Sequence, residues 1–534
     1  MTLVLLDTNT YLRLAKRIRP LLGVKFGQKD YVLTVLKDVE DEVRRSPKLR
    51  FNHPWFEEPT LGAEPLPDID FNIFAGNALV GYATLDEVRR AVQGANNGQA
   101  RMQFDDAIAR IEAQVQKIDY QFQQFRRAQV NTGTADTTLS KKKLQTALEE
   151  LDDELNYYLA GEYGVDPMRQ SEFKIWRQGH QPFHWLVKFY HVLQQQGGFD
   201  VVIGNPPYVG YSKVRSLYTV RGYATENCAN LYAFSVERAL ALLREAGRYG
   251  MIVPIASLAT EGMRELQEIY ALYRQWHSHW AVRPGKLFVG VDMNLTITLL
   301  QKVNDRDTNY TTGYRRWSNG QQTDRPHLFT TIAYTPNPQL AEHINSYPKL
   351  GSDLEASILK RMHHHGRKLR QYTDPTGAAI YYHSGGRYWR KALPTQLSSH
   401  YKPVYVPQRF VPIVAALLNS QLFYWYWISN SNCMDVVSRE VLDLPVFPLD
   451  RADPETFARL VERLLASYYS NNRTRARRGE LISVDEINFD VAQAKPIIDE
   501  IDQALARCYG FDSVAVDFIL NYDIKYRSNS EAGE

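Results

Sequence analysis

Only three cysteines occur in 534 residues, and Cys228, Cys433 and Cys508 stand far apart. Their scatter excludes a disulfide framework and gives no zinc-type spacing. Long apolar runs are missing too: nothing approaches the roughly 18 apolar residues of a membrane span. The opening Met1-Thr2-Leu3-Val4-Leu5-Leu6-Asp7 has no basic n-region and too short an apolar run for a secretory signal. A cytoplasmic location without membrane contact is the expectation. Charge of one sign is also absent, since 63 basic and 60 acidic residues leave a net +3; electrostatics alone do not announce a nucleic-acid binder. Closely spaced glycines are lacking early in the chain, where Gly23, Gly27 and Gly62 stand alone. Tyrosine, in contrast, is abundant at 33 residues, and the length suits about two to four domains.

The most informative segment is Asn205-Pro206-Pro207-Tyr208, directly after Phe199-Asp200-Val201-Val202-Ile203-Gly204. An apolar, β-branched run closed by Gly suits a buried strand of a parallel sheet. Ligands of such sheets sit beyond the carboxyl ends of the strands. There the tetrapeptide offers a side-chain carbonyl, a backbone carbonyl beside a rigid Pro, and an aromatic face. Two acceptors take the two N–H bonds of a planar amine while the ring stacks on its base, freeing the nitrogen lone pair to attack a methyl sulfonium.

Other segments follow in a fixed order. Pro67-Asp68-Ile69-Asp70-Phe71-Asn72-Ile73-Phe74-Ala75-Gly76-Asn77-Ala78-Leu79 comes first, then Gly198-Phe199-Asp200 and the tetrapeptide. Asn230-Leu231-Tyr232-Ala233-Phe234, Gly247 to Pro254, Leu287-Phe288-Val289-Gly290-Val291-Asp292 and the strand-like Leu295 to Leu300 complete the series. From about Pro65 to the C-terminus this set resembles the gamma-class N6-adenine DNA methyltransferases, especially the long type IIG restriction–modification proteins. The resemblance implies methyl transfer from S-adenosylmethionine to an adenine flipped out of double-stranded DNA, with no metal required. It assigns Asn205, Pro206, Pro207 and Tyr208 to catalysis, Tyr208 and Phe288 to base stacking, and Asn77 to the cofactor. The family's glycine-rich loop for the methionine half of the cofactor has no counterpart here. The cofactor half is therefore missing, replaced, or supplied by a partner chain; a nuclease is a second candidate partner.

The expected fold is α/β, a doubly wound methyltransferase sheet of Rossmann-like type lacking its N-terminal cofactor-loop strand, with a helical insertion and a C-terminal α+β target-recognition region. Strands alternate with helices from Val201 to about Val303. Residues 59–84 and 196–303 form the catalytic core. Residues 85–195 form a helical insertion, where Phe104, Ile108, Ile111, Val115, Ile118, Phe122 and Phe125 recur at spacings of three and four. Residues 304–450, with a polar connector over 304–345, form the target-recognition domain. There Arg387, Arg390 and Arg409 are candidate DNA contacts by residue type. Residues 451–534 read as helical.

Residues 1–58 read as strand, helix and strand, and resemble the start of a PIN-type nuclease. Asp7, Glu40 and Glu42 would then be the metal-facing acids, but the set is incomplete. Two alternatives to the methyltransferase thus remain: a nuclease, and a catalytically incomplete DNA-specificity protein lacking the cofactor loop. Glutamine and ribosomal-RNA methyltransferases share the tetrapeptide, but the long helical insertion and large C-terminal region argue against those smaller enzymes.

Overall fold

In the computed structural model the run Phe199–Gly204 is a strand, as the β-branched residues Val201, Val202 and Ile203 favour. The structure describes residues 2–4, 31–33, 74–95, 101–131, 137–288, 290–305, 309–316, 329–337, 347–386, 388–476 and 485–527. Strands β1 (Thr2–Val4) and β2 (Tyr31–Leu33) pair in parallel, Thr2 opposite Tyr31. Asp7, Glu40, Glu42, Asp68, Asp70 and Arg387 lie outside the described residues.

The central sheet contains β3 (Phe199–Gly204), β4 (Leu243–Pro254), β5 (Tyr273–Trp280), β6 (Leu295–Asn304), β7 (Asn309–Arg315) and β8 (Thr335–Pro336), in the order β3-β4-β6-β5-β7-β8. Strands β3 and β4 are parallel, with Val202 opposite Tyr249 and Gly204 opposite Met251, whereas β7 and β8 are antiparallel. The sheet is therefore mixed, within the α/β class that was expected. Strand β5 (Tyr-Arg-Gln-Trp-His-Ser-His-Trp) carries no apolar alternation, yet His277, Ser278 and His279 are fully buried on it. Burial lowers the His277 pKa to about 3, so the ring packs as a neutral group. Strand β7 likewise lies inside the stretch 304–345 that reads as a polar connector.

The chain divides into two units. One comprises Met1–Val253, Glu268–Gln275 and Thr298–Arg306; the other comprises Pro254–Gln267, Trp276–Ile297 and Asp307–Glu534. In the first, helices Arg101–Asn131 and Thr137–Glu162 pack through one apolar stripe each. Ile108, Ile111, Val115, Ile118 and Phe125 share a buried cluster with Leu144, Leu148, Leu151 and Leu155. Each such side chain contributes about 1.5–3 kcal/mol on burial. An Arg110–Glu154 ion pair joins the two helices on the solvent side.

The second unit holds a three-stranded sheet, β9 (Ala378–His383), β10 (Ala392–Leu393) and β11 (Tyr401–Val406), with β9 central and antiparallel to both neighbours. Against it the apolar stretch 411–430 forms two helices, Val411–Asn419 and Gln421–Asn430. Ser420 makes the break by capping the second helix, its hydroxyl accepting from the Phe423 N–H at 3.0 Å. The hairpin β12 (Asn472–Ala476) and β13 (Asp485–Phe489) and the helix Lys495–Tyr509 lie in the stretch that reads as wholly helical. Among the described residues no helix is long and apolar enough to cross a membrane.

Candidate functional site

Asn205-Pro206-Pro207-Tyr208 leaves the carboxyl end of β3, where the chain can no longer pair with β4 because two prolines supply no N–H. Asn205 is exposed, Pro206 buried and Tyr208 half-buried. The Tyr208 hydroxyl lies 2.7 Å from Asn205 Oδ1 and 2.8 Å from the Ile252 carbonyl oxygen on β4. It carries one hydrogen and can donate to only one of these at a time. The contact pins the ring beside the Asn205 carboxamide, and burial pushes the phenol well above its ordinary pKa. Tyr208 is thus a neutral aromatic surface. Asn205 Oδ1 has two lone pairs, so one remains open to an incoming donor. Among the described residues no backbone N–H reaches the Pro206 carbonyl. Two acceptors and one ring are therefore grouped at the strand end. The Ile252 carbonyl escapes sequence reading, because only the strand register brings it under the tyrosine.

Asn77 lies in the same unit. Gly76 before it has φ +156°, and a Cβ there would approach Phe183 Cδ2 to 2.9 Å, so only glycine fits under that ring. Asn77 donates its backbone N–H to Gln181 O at 2.7 Å, and its side-chain oxygen accepts from the Leu79 N–H at 3.1 Å. One lone pair of its carbonyl is therefore taken by the local turn. Leu79 then packs in a cluster with Tyr211, Val220, Tyr223, Leu231 and Phe234, and the Tyr223 hydroxyl donates to Leu79 O at 2.9 Å. This cluster ties the Asn77 segment to the loop that follows Tyr208.

Phe288 belongs to the second unit and is half-buried. Its loop is anchored at Asn294. Asn294 Oδ1 accepts from the Val282 N–H at 3.0 Å and the Tyr314 hydroxyl at 2.7 Å, and its amide donates to Asn432 O at 3.0 Å. Arg409 is exposed, beside Asp450 at 3.2 Å. Arg390 differs from the expectation of a DNA contact, being only 3% exposed. Its guanidinium carbon is 3.8 Å from the centroid of the Trp427 ring, and Nη2 donates to Gly386 O at 2.6 Å. Arg390 therefore clamps the Gly385-Gly386 turn from inside, and burial lowers its pKa to about 10. The run from Arg361 to Arg370 presents exposed cations at Arg361, Arg367 and Arg370, with Asp443 paired to Lys368 and Arg370.

A cofactor carrying adenosine and methionine needs a glycine loop or an equivalent nest of backbone donors. The described residues offer Asn77, with one lone pair of its carbonyl used by the turn, and no glycine-rich loop ahead of it. They do not make a full cradle for such a group.

Residues 100–279, less than half of the chain, match the model of the Eco57I restriction-modification methylase family. The match covers β3 and the tetrapeptide and supports kinship with restriction-modification methylases. No curated protein matches the chain. Among solved structures, a modification subunit assigned to a type I restriction enzyme of Vibrio vulnificus YJ016 is 13% identical, covering 40% of this chain and 50% of that one at a TM-score of 0.21. The DrdV–DNA complex is 12% identical, covering 32% and 20% at 0.23. A nuclease-deletion mutant of the type ISP restriction-modification enzyme LlaGI, in complex with a DNA substrate mimic, is 11% identical, covering 71% and 36% at 0.24. The chain thus spans between a fifth and a half of these structures. At such scores the superpositions establish no common fold.

Proposed function

We propose that the chain is the modification part of a restriction–modification or phage-defence system, an adenine-N6 DNA methyltransferase acting on a base flipped out of the duplex. The observation that carries this reading is the Asn205 carboxamide, exposed at the end of β3 and held beside the Tyr208 ring by a 2.7 Å hydrogen bond. Asn205 Oδ1 and the Pro206 carbonyl accept the two hydrogens of the N6 amine, and Tyr208 stacks on the purine. Stacking contributes about 1–3 kcal/mol and offsets much of the unstacking penalty. Phe288 is the proposed second stacking surface, and Arg387 and Arg409 the proposed DNA contacts. Alignment of amine and donor, rather than a strong base, is what these residues supply.

S-adenosylmethionine is the proposed methyl donor. Because the described residues do not complete its cradle, its binding falls to residues outside that set or to a partner chain. The same gap favours a second reading, a DNA-specificity protein without transfer activity.

Tritiated methyl transfer to unmethylated DNA, by wild type and by Asn205→Ala, separates the two. Incorporation by wild type that disappears in the variant supports the enzyme. DNA binding without incorporation by either protein supports the specificity protein.

A further inference from the structure

The loop after the tetrapeptide, residues 209–222, is a rigid platform with an unusual surface. Its ends are fixed from several sides. Leu231 N–H donates to Val209 O at 3.0 Å, Tyr211 N–H to Ala229 O at 2.9 Å, and Val220 N–H to the Tyr211 hydroxyl at 2.7 Å. The Thr219 N–H donates to His180 Nε2 at 3.1 Å, which anchors the far end to the helix Gln170–His180. Between these anchors a short turn holds Leu217, its N–H donating to Val214 O at 2.8 Å.

That turn raises Lys213, Arg215, Ser216 and Leu217 into solvent, with Leu217 68% exposed. The segment 209–222 carries three cations and no acid. Several exposed arginines of this unit have carboxylate partners, Arg89 with Asp86 and Glu112, Arg177 with Asp153, and Arg169 with Glu172. Among the described residues Lys213 and Arg215 have none, and Arg215 instead leans over the Tyr211 ring at 5.9 Å. Ile175, 71% exposed, shares a helix face with Gly179, whose Cβ position lies 3.1 Å from Leu217 O. The result is an exposed leucine two residues after an unpaired arginine, on a loop that starts directly after Tyr208 and is anchored at both ends.

We propose that this loop grips the DNA duplex next to the extruded base. Lys213 and Arg215 take phosphates, and Leu217 enters the base stack at the gap. Unpaired cations suit phosphates, and inserted leucines are a known way to hold an unstacked step. The proposal rests on the DNA reading above and adds the element that stabilises the opened duplex.

The test is binding of the full chain to a labelled duplex of about 30 base pairs, by fluorescence anisotropy across a salt series. Replacing both cations (Lys213→Gln with Arg215→Gln) should weaken binding and reduce the salt slope by about 2, near 0.9 for each phosphate that is no longer neutralised. Wild type should also bind a duplex with a central abasic site more tightly than the intact one, and Leu217→Ala should remove that preference. A wild type that binds DNA while the double variant keeps the same slope overturns the phosphate role. A wild type with no abasic preference overturns the Leu217 role. A wild type that binds no DNA overturns the underlying reading as well. Unchanged circular dichroism of the variants shows that none of this reflects misfolding.

Discussion

Arg215 and Arg390 are both arginines lying over an aromatic ring, and they have opposite surroundings. Arg215 stands in solvent 5.9 Å from Tyr211, without a carboxylate. Arg390 is buried 3.8 Å over Trp427, in a group with Arg316 and Arg527, which approach Tyr424 and Trp389. Arg316 is held by Asp523 at 3.1 Å, and Arg527 donates to Gln421 Oε1. The inner arginines act as rivets that satisfy carbonyls and acids within the second unit. The outer one keeps its hydrogen-bonding capacity for something outside the chain. Residue type with an aromatic neighbour therefore says little; what already occupies the guanidinium decides the role.

The sharpest separation comes from mutating one residue of each kind of environment. Asn205→Ala should cut methyl transfer by at least about a hundredfold, the effect of removing a group that stabilises the transition state. Its thermal midpoint should move by less than about 2 °C, since the side chain is exposed. Arg390→Met should do the reverse, lowering unfolding free energy by about 1–3 kcal/mol in a denaturant titration, because the Gly386 carbonyl loses its donor and the Trp427 ring its partner. Arg215→Met should stay within about 0.5 kcal/mol in the same titration. Equal losses for the two arginines would dissolve the contrast.

A smaller effect tests the buried acids of the second unit. Asp502 accepts the Gln421 and Leu422 N–H groups at 3.0 Å each, yet burial raises its pKa to about 7. Burial likewise raises Glu355, which accepts from Trp425 Nε1, to about 7. An unfolded aspartate loses its proton near pH 4. Between about pH 4 and 7 these two carboxyls hold protons in the folded chain that they lose in the unfolded one. Their own contribution to stability is therefore greatest at the acid end and falls as pH rises, whereas buried neutral His277 contributes in the opposite sense below about pH 6.5. The thermal midpoint of wild type minus that of Asp502→Asn, measured from about pH 5 to 8, should fall as pH rises through about 7. On transfer, a modest effect is expected of Tyr208→Phe, which keeps the ring and removes one hydrogen bond; the rate should fall by about tenfold or less, for a loss of about 0.5–1.5 kcal/mol.

Strand β3 and its tetrapeptide were legible because a β-branched run ended by Gly and two prolines has few other structures open to it. The paired stripes on Arg101–Asn131 and Thr137–Glu162 were legible through their spacing. Strand β5 was not, because His277 and His279 are buried as neutral rings and polar letters hide an interior strand. The interior position of Arg390 was equally hidden, since only the folded Gly385-Gly386 turn creates the carbonyl it satisfies. The loop 209–222 showed its charges in sequence but not its anchors, which come from Ala229, His180 and Leu231, residues distant along the chain.

The Tyr208 hydroxyl has two resting places for a single hydrogen, Asn205 Oδ1 and the Ile252 carbonyl. When a guest amine claims the carboxamide oxygen, the hydrogen can swing to the strand carbonyl without the ring turning. Entry then breaks no hydrogen bond that is not at once remade. The tyrosine acts as a latch whose bolt slides while the door stays still.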